Sequence, residues 1–382
     1  MPIPTNSSMM LSRRWNLLSK MASGYGEQPL LRFLCEPDVA CATFVSTEWE
    51  GLLRTARRAN LLSRVACIVK GRGLVEQLPP KVRHHLTSAL RVAESNQVSV
   101  LQEVRKVRSA LAEQRVPVVL LKGAAYIAGE LAPAPGRLLS DIDIMVPVGQ
   151  LEIAERELVA HGWMPTKFDA YDQRYYRQWM HELPPLRHLG RGTNLDVHHT
   201  ILPPTAALKP DINKLWATVV ALPSYAGVFV LSPADMVLHS ATHLFHDGEL
   251  ENGLRDLVDM DSLIREFGTD TGFPDRLVQR AVELDLARPL FYALRYCTKL
   301  LDTPFPEAAS NCADKHGSPG MLLVRLMDTL IMRSIGAVFD SKTPPLTHVA
   351  KFAMYVRSHY LRMPVHLLIP HLIRKQFSPD SR

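Results

Sequence analysis

From Thr47 to Gln114 apolar residues recur every three or four positions, in "STEWEGLLRTARRANLLSRVACIV" and "SALRVAESNQVSVLQEVRKVRSALAEQ". That spacing predicts amphipathic helices, with Ser46 or Thr47 as the first cap. Before it, Met1 to about Glu36 reads as irregular chain. At "VPVVLL", Val116 to Leu121, the pattern changes to a short β-branched run of strand length. "KGAAYIAGEL" then predicts a turn and a short helix closed by "APAPG", and "SDIDIMV" alternates as a strand. "QLEIAERELVAHG" predicts a helix stopped by Gly162. "PLRHL" and "NLDVHH" flank "GRGT" as a hairpin. Beyond Pro203 the pattern reads as helical to the end. The expected fold is α+β: a mainly helical region over 1–115, a small mixed-sheet α/β core over 116–204, and a helical region over 205–382.

The alternating strand raises a chemical question. Asp141 and Asp143 share one face with Met145, while Ile142, Ile144 and Val146 share the other. Carboxylates in an apolar strand are costly unless paired, hydrogen-bonded or on a cation, and no lysine or arginine lies within the run. In "NLDVHH", Asp196 shares a face with Asn194 and His198. Two strands therefore each offer carboxylates on one face. Aspartates two apart on a strand have α-carbons roughly 6.5 Å apart, which suits two cations about 3.5–4 Å apart, as in phosphoryl displacement. Magnesium is the ion such oxygen donors suit, with phosphates completing its shell. Aspartates that merely cap a turn are the other reading of this stretch. Upstream, "LLKG" ends a strand and opens a helix. Gly123 would let backbone approach a phosphate, Lys122 adds a point charge and Arg137 a bidentate clamp.

Composition narrows the setting. The 382 residues suffice for two or three domains, and 47% hydrophobic content is ordinary for a globular protein. Five cysteines, an odd number with no CxxC pair, argue against a disulfide framework and a zinc site, and for a reducing compartment. No apolar run follows Arg13 and Arg14, so a secretory leader is not expected and the expected setting is the cytoplasm. "MLLVRLMDTLIMRSIGAVF" contains Arg325, Asp328 and Arg333, which favours a buried or docking helix over a membrane span. Residues 1–115 hold seventeen Lys/Arg against nine Asp/Glu, whereas 116–250 hold ten against fourteen. An acidic middle suits a metal site for a polyanionic substrate. No basic cluster is interleaved with aromatics, so there is no strong nucleic-acid signal.

With these motifs in place the chain resembles the nucleotidyltransferase superfamily, and within it the poorly characterised "nucleotidyltransferase family protein" group. The resemblance rests on "LLKGAAYIAGEL", "GRLLSDIDIMV", "NLDVHHTI", "LSPADMVLHSATHLFHDG" and "LRDLVDM", and covers roughly Thr47 to Glu266. It implies metal-dependent transfer of a nucleoside monophosphate from a triphosphate, most simply ATP, to a hydroxyl acceptor. Asp141, Asp143 and Asp196 would hold two magnesium ions, and Lys122, Gly123, Arg137 and Ser140 would contact the nucleotide. The chain departs from the superfamily in having Gly123-Ala124 where Gly-Ser or Gly-Gly is usual. A metal-dependent glycosyltransferase, or an inactive nucleotide-binding or assembly module, remains an alternative.

Other residues carry weaker expectations. His239, His243 and His246 fall at i, i+4 and i+7 of a helix capped by "SPAD" and read as packing on the catalytic unit. Arg255, Asp256 and Asp259 read as helix-surface or interdomain pairs, and His198 as support for Asp196, with His199 on its other side. "FDAYDQRYYRQWMHELP" reads as a loop over the sheet edge. The basic tail "KFAMYVRSHYLRMPVHLLIPHLIRK" reads as docking on the helical region, with weak membrane-surface contact as the other option.

Overall fold

Among the described residues five α-helices precede the first strand: α1 Pro29–Cys35, α2 Pro37–Thr43, α3 Ser46–Arg58, α4 Leu62–Gly71 and α5 Pro80–Ala112. The structure, a computed structural model, describes residues 28–248, 250–339 and 346–368. Helix α1 corrects the expectation of irregular chain up to Glu36. A proline in its first turn starts it, and Leu30, Leu31 and Phe33 bury its inner face. Helix α5 has 33 residues and so runs about 50 Å.

The α/β part follows as β1 Val118–Leu120, α6 Lys122–Ala128, β2 Asp141–Met145, α7 Leu151–Ala160, β3 Trp163–Pro165, α8 Ala170–Trp179, β4 Leu186–His188 and β5 Asn194–His198. It then continues past Pro204 through α9 Ile212–Trp216, β6 Val220–Ala221 and β7 Val228–Val230. The seven strands form one mixed sheet in the order β3-β4-β5-β2-β1-β7-β6. Strand β7 lies parallel to β1, pairing Val119 with Phe229. The uninterrupted helical reading beyond Pro203 is therefore corrected, because the sheet takes two more strands from that region. The expected hairpin is present as β4 and β5, antiparallel with Leu186 opposite Leu195. The "FDAYDQRYYRQWMHELP" stretch is helical rather than a loop: Asp169 caps α8 by accepting from the Tyr171 backbone N–H at 3.0 Å.

The chain closes with α10 Pro233–Thr242, a π-helical turn His243–Asp247, and α11 Gly253–Phe267, α12 Phe273–Glu283, α13 Ala287–Leu301, α14 Glu307–Gly317, α15 Met321–Gly336 and α16 Thr347–Arg362. Ser232 caps α10 as expected, accepting from the Asp235 N–H. In α15, Asp328 is bound by Arg295 and by the Tyr296 hydroxyl. Among the described residues no helix is long and apolar enough to cross a membrane. Helix α16 docks through Ala350, Met354 and Ser358; the basic tail beyond 368 lies outside the described residues.

Two apolar cores result, and they do not follow chain order. One gathers the sheet, the C-terminal half of α5 through Val100, Val104 and Leu111, and residues of α12 and α14. The other gathers α1 to α4, the N-terminal half of α5 through Val82 and Leu86, and the inner faces of α11, α13, α15 and α16. The first and last helical regions thus share one core, with α5 joining it to the sheet. Two polar side chains from the helical side fasten the loop before β2. Asn96 makes a reciprocal pair with the backbone of Leu139, at 3.0 and 2.9 Å. Arg64 donates to the carbonyls of Ala132 and Pro135.

Candidate active site

Strands β2 and β5 are parallel neighbours with Asp141 opposite Asn194, Asp143 opposite Asp196 and Met145 opposite His198. Neighbouring strands lie about 4.8 Å apart, so the Asp143 and Asp196 side chains stand side by side. Ile142, Ile144, Leu195 and Val197 are buried under the opposite face. That burial holds the register, since a slip by one residue would turn every carboxylate into the core.

Lys122 reaches this face from the β1–α6 turn. The backbone N–H of Leu121 donates to the Asp143 carbonyl at 3.0 Å, and Lys122 then takes a left-handed φ of 46°. A non-glycine residue pays about 1 kcal/mol or more for that conformation, a cost found mostly at functional sites. The turn brings Lys122 Nζ to 3.4 Å from Asp143 Oδ1. From the other side, His198 Nε2 lies 3.1 Å from the same oxygen. Ser140 Oγ donates to Asp141 Oδ1 at 3.2 Å.

Two expected anion contacts are placed differently. Arg137 is buried in an ion pair, its Nε 2.7 Å from Asp259 Oδ2 and its Nη2 3.9 Å from Asp256. Nη1 donates to the Leu138 carbonyl at 2.8 Å. The guanidinium read from the sequence as a phosphate clamp instead ties the loop before β2 to α11, the interdomain pairing expected of Asp256 and Asp259. Gly123 is also explained by packing. A Cβ there would lie 2.9 Å from Leu139 Cδ1, so the missing side chain admits Leu139 rather than a ligand at that point.

The electrostatics separate the two neighbouring aspartates. Burial opposes ionisation of Asp143, but the Lys122 charge, the His198 hydrogen bond and the charge of His243 outweigh it. Its carboxyl is held far below the usual range. Asp196 has little such compensation: burial, then Asp143 and Glu182, outweigh the charge of His198 and, with Asp141, push it up to about 7. His198 is drawn up against the effect of burial by its hydrogen bond to Asp143 and the charge of Glu182. His239 is held well below its ordinary value by burial, then by Lys122, His243 and His198. His239 and His243 therefore lie near the Lys122–Asp143 pair.

His181 and Glu182 carried no separate expectation from sequence. Their segment adds to the end of β5: Leu183 N–H donates to Val197 O at 2.8 Å and His199 N–H to His181 O at 2.9 Å. Glu182 Oε2 lies 3.5 Å from His198 Nδ1. A His-Glu pair just ahead of a strand was the available signal, but aromatic neighbours masked it. Tyr176 of α8 lies near the same group, its hydroxyl pushed up by burial, then by Glu182 and more weakly by Asp196.

No curated protein and no solved structure matches the chain. The model of a family described as "Uncharacterised nucleotidyltransferase" matches residues 46–302, about two thirds of the chain, which takes in every strand and the carboxylate face. With that match over the strands that carry Asp141, Asp143 and Asp196, the chain belongs to this nucleotidyltransferase family.

Proposed function

We propose that the protein moves a nucleoside monophosphate from a nucleoside triphosphate to a hydroxyl acceptor, with pyrophosphate as the leaving group. The observation that carries this reading is the side-by-side placement of Asp143 and Asp196, with Asp141 on the same face. Three carboxylates, one of them raised to about 7 by burial and then by its neighbours, are a hard oxygen set that fits magnesium, with two ions as the natural complement. Held by Asp141, Asp143 and Asp196, magnesium would screen the triphosphate and favour ionisation of the acceptor hydroxyl. The chain's own groups supply the rest. Asp196 would hold the metal at the acceptor hydroxyl and assist its deprotonation. Lys122 meets the outer phosphates as a point charge, and His198 orients Asp143 through its hydrogen bond.

The test is incubation with each α-labelled triphosphate, ATP first, and magnesium in lysate fractions. The account expects label on an acceptor and free pyrophosphate with the natural chain, and neither with Asp143→Asn. Transfer of a γ-label instead would contradict it. A nucleotide-sugar that binds better than any triphosphate would point to glycosyl transfer.

A further inference from the structure

A second ligand set lies against the carboxylate face. His181, Glu182 and His198 each direct one donor atom into a common space, and these atoms all lie within 4.8 Å of one another. Glu182 and His198 face each other across an antiparallel bridge, and the His181 and His198 rings have centroids 5.1 Å apart. The backbone of this segment is held on β5, so the set is rigid.

His198 turns its two ring nitrogens to different partners. Nε2 lies 3.1 Å from Asp143 Oδ1 and donates to it. Nδ1, the other ring nitrogen, faces away from that bond. That atom is buried and makes no hydrogen bond among the described residues, yet it lies 3.5 Å from Glu182 Oε2. A buried ring nitrogen facing a carboxylate suits a cation between them. A proton on Nδ1 would join two groups, whereas three donors converge. Ligands about 2.0–2.1 Å from a tetrahedral zinc ion sit roughly 3.3 Å apart, close to the observed 3.5 Å. A carboxylate on the far nitrogen of a metal-bound histidine is the usual outer support of such sites, and Asp143 has that position.

We infer that His181, Glu182 and His198 form a site for one divalent transition ion of the zinc class, separate from the magnesium positions proposed on the aspartates. Imidazole nitrogen with a single carboxylate selects zinc, or cobalt as its probe, over magnesium. With Nδ1 on the ion, His198 keeps its proton on Nε2 and stays locked on Asp143. The site thereby couples a transition ion to the orientation of a catalytic carboxylate.

The experiment uses the full chain stripped with chelator, then dialysed against zinc in excess magnesium, with no nucleotide present. Metal analysis should find one zinc per chain in the natural protein and in an Asp141→Asn, Asp196→Asn variant. A His181→Ala, Glu182→Gln variant should retain none. Cobalt should give the visible absorption of a tetrahedral site in the first two proteins and not in the third. If the third fails to fold, Glu182→Gln alone should weaken zinc binding more than about tenfold. Absence of stoichiometric zinc in the natural chain overturns the inference. So does zinc that survives loss of His181 and Glu182, or that departs with the aspartates. Because nucleotide transfer is not read out, failure here leaves the transferase reading separately testable.

Discussion

Two aspartates of this molecule, Asp235 and Asp196, have opposite surroundings. Asp235, in the first turn of α10, is completely buried and fully supplied. Arg280 donates to it at 2.8 and 3.0 Å, and the hydroxyls of Thr218 and Ser232 donate at 2.8 Å each. Asp196 receives no hydrogen bond among the described residues and faces Asp143, Glu182 and Asp141 instead. A carboxylate that holds helices together has all its acceptor sites filled from within the chain. One crowded by like charges is held ready for something that arrives from outside. Asp235 is buried among donors and Asp196 is half-buried among like charges, so the company each keeps sets its role.

The largest effect should come from exchanging these roles. Asp196→Asn should abolish nucleotidyl transfer while leaving the thermal midpoint at neutral pH unchanged or higher, since it removes like-charge repulsion. Asp235→Ala should do the reverse. It strands Arg280 and should cost about 3–5 kcal/mol, with activity kept in whatever fraction stays folded. Denaturant titration beside an activity assay separates the two, and a destabilised Asp196→Asn would break the comparison.

Next in size is Arg137. As one partner of a buried pair with Asp259, its loss in Arg137→Ala should also cost about 3 kcal/mol. Unchanged stability with weakened triphosphate binding would return it to the phosphate-clamp role. Lys122→Ala should have a smaller effect on stability and should weaken triphosphate binding more than monophosphate binding. Equal weakening of both would remove it from the phosphate end.

The smallest effect is a slope with pH. Asp196 is raised in the folded chain, so between about pH 4 and about 7 the folded state holds a proton that the unfolded state has released. Stability from this group falls as pH rises through that window. Asp143 is depressed, so its contribution is present above about pH 4 and is lost only as pH falls below it. The two windows do not overlap. Subtracting the melting profile of Asp196→Asn from that of the natural chain should therefore leave a decline confined to pH 4–7.

Much of the site was legible from alternation alone. The faces of "SDIDIMV" and "NLDVHH" follow from a period of two, and the structure puts their carboxylates on one side of adjacent strands. The in-register meeting of Asp143 and Asp196 was not legible, because parallel pairing is decided by what packs beneath both strands. No lysine or arginine lies within the run, and the groups that compensate Asp143, Lys122 and His198, come from other elements. Arg137 read as a spare cation because its partner Asp259 lies 122 residues away. Strand β7 escaped notice because three residues after Gly227 carry too little pattern, and α8 because its half-buried aromatics hide the helical period.

The central claim is that the crowded face awaits a triphosphate with magnesium, and a thermal shift tests it most directly. A ligand that binds only the folded state at a hundredfold excess over its dissociation constant stabilises by about 2.7 kcal/mol. The account predicts a rise in midpoint with at least one nucleoside triphosphate and magnesium, lost on chelation and lost in an Asp141→Asn, Asp143→Asn variant that remains folded. No metal-dependent rise with any triphosphate at millimolar concentration would contradict it, and would return the carboxylates of "SDIDIMV" to a structural role.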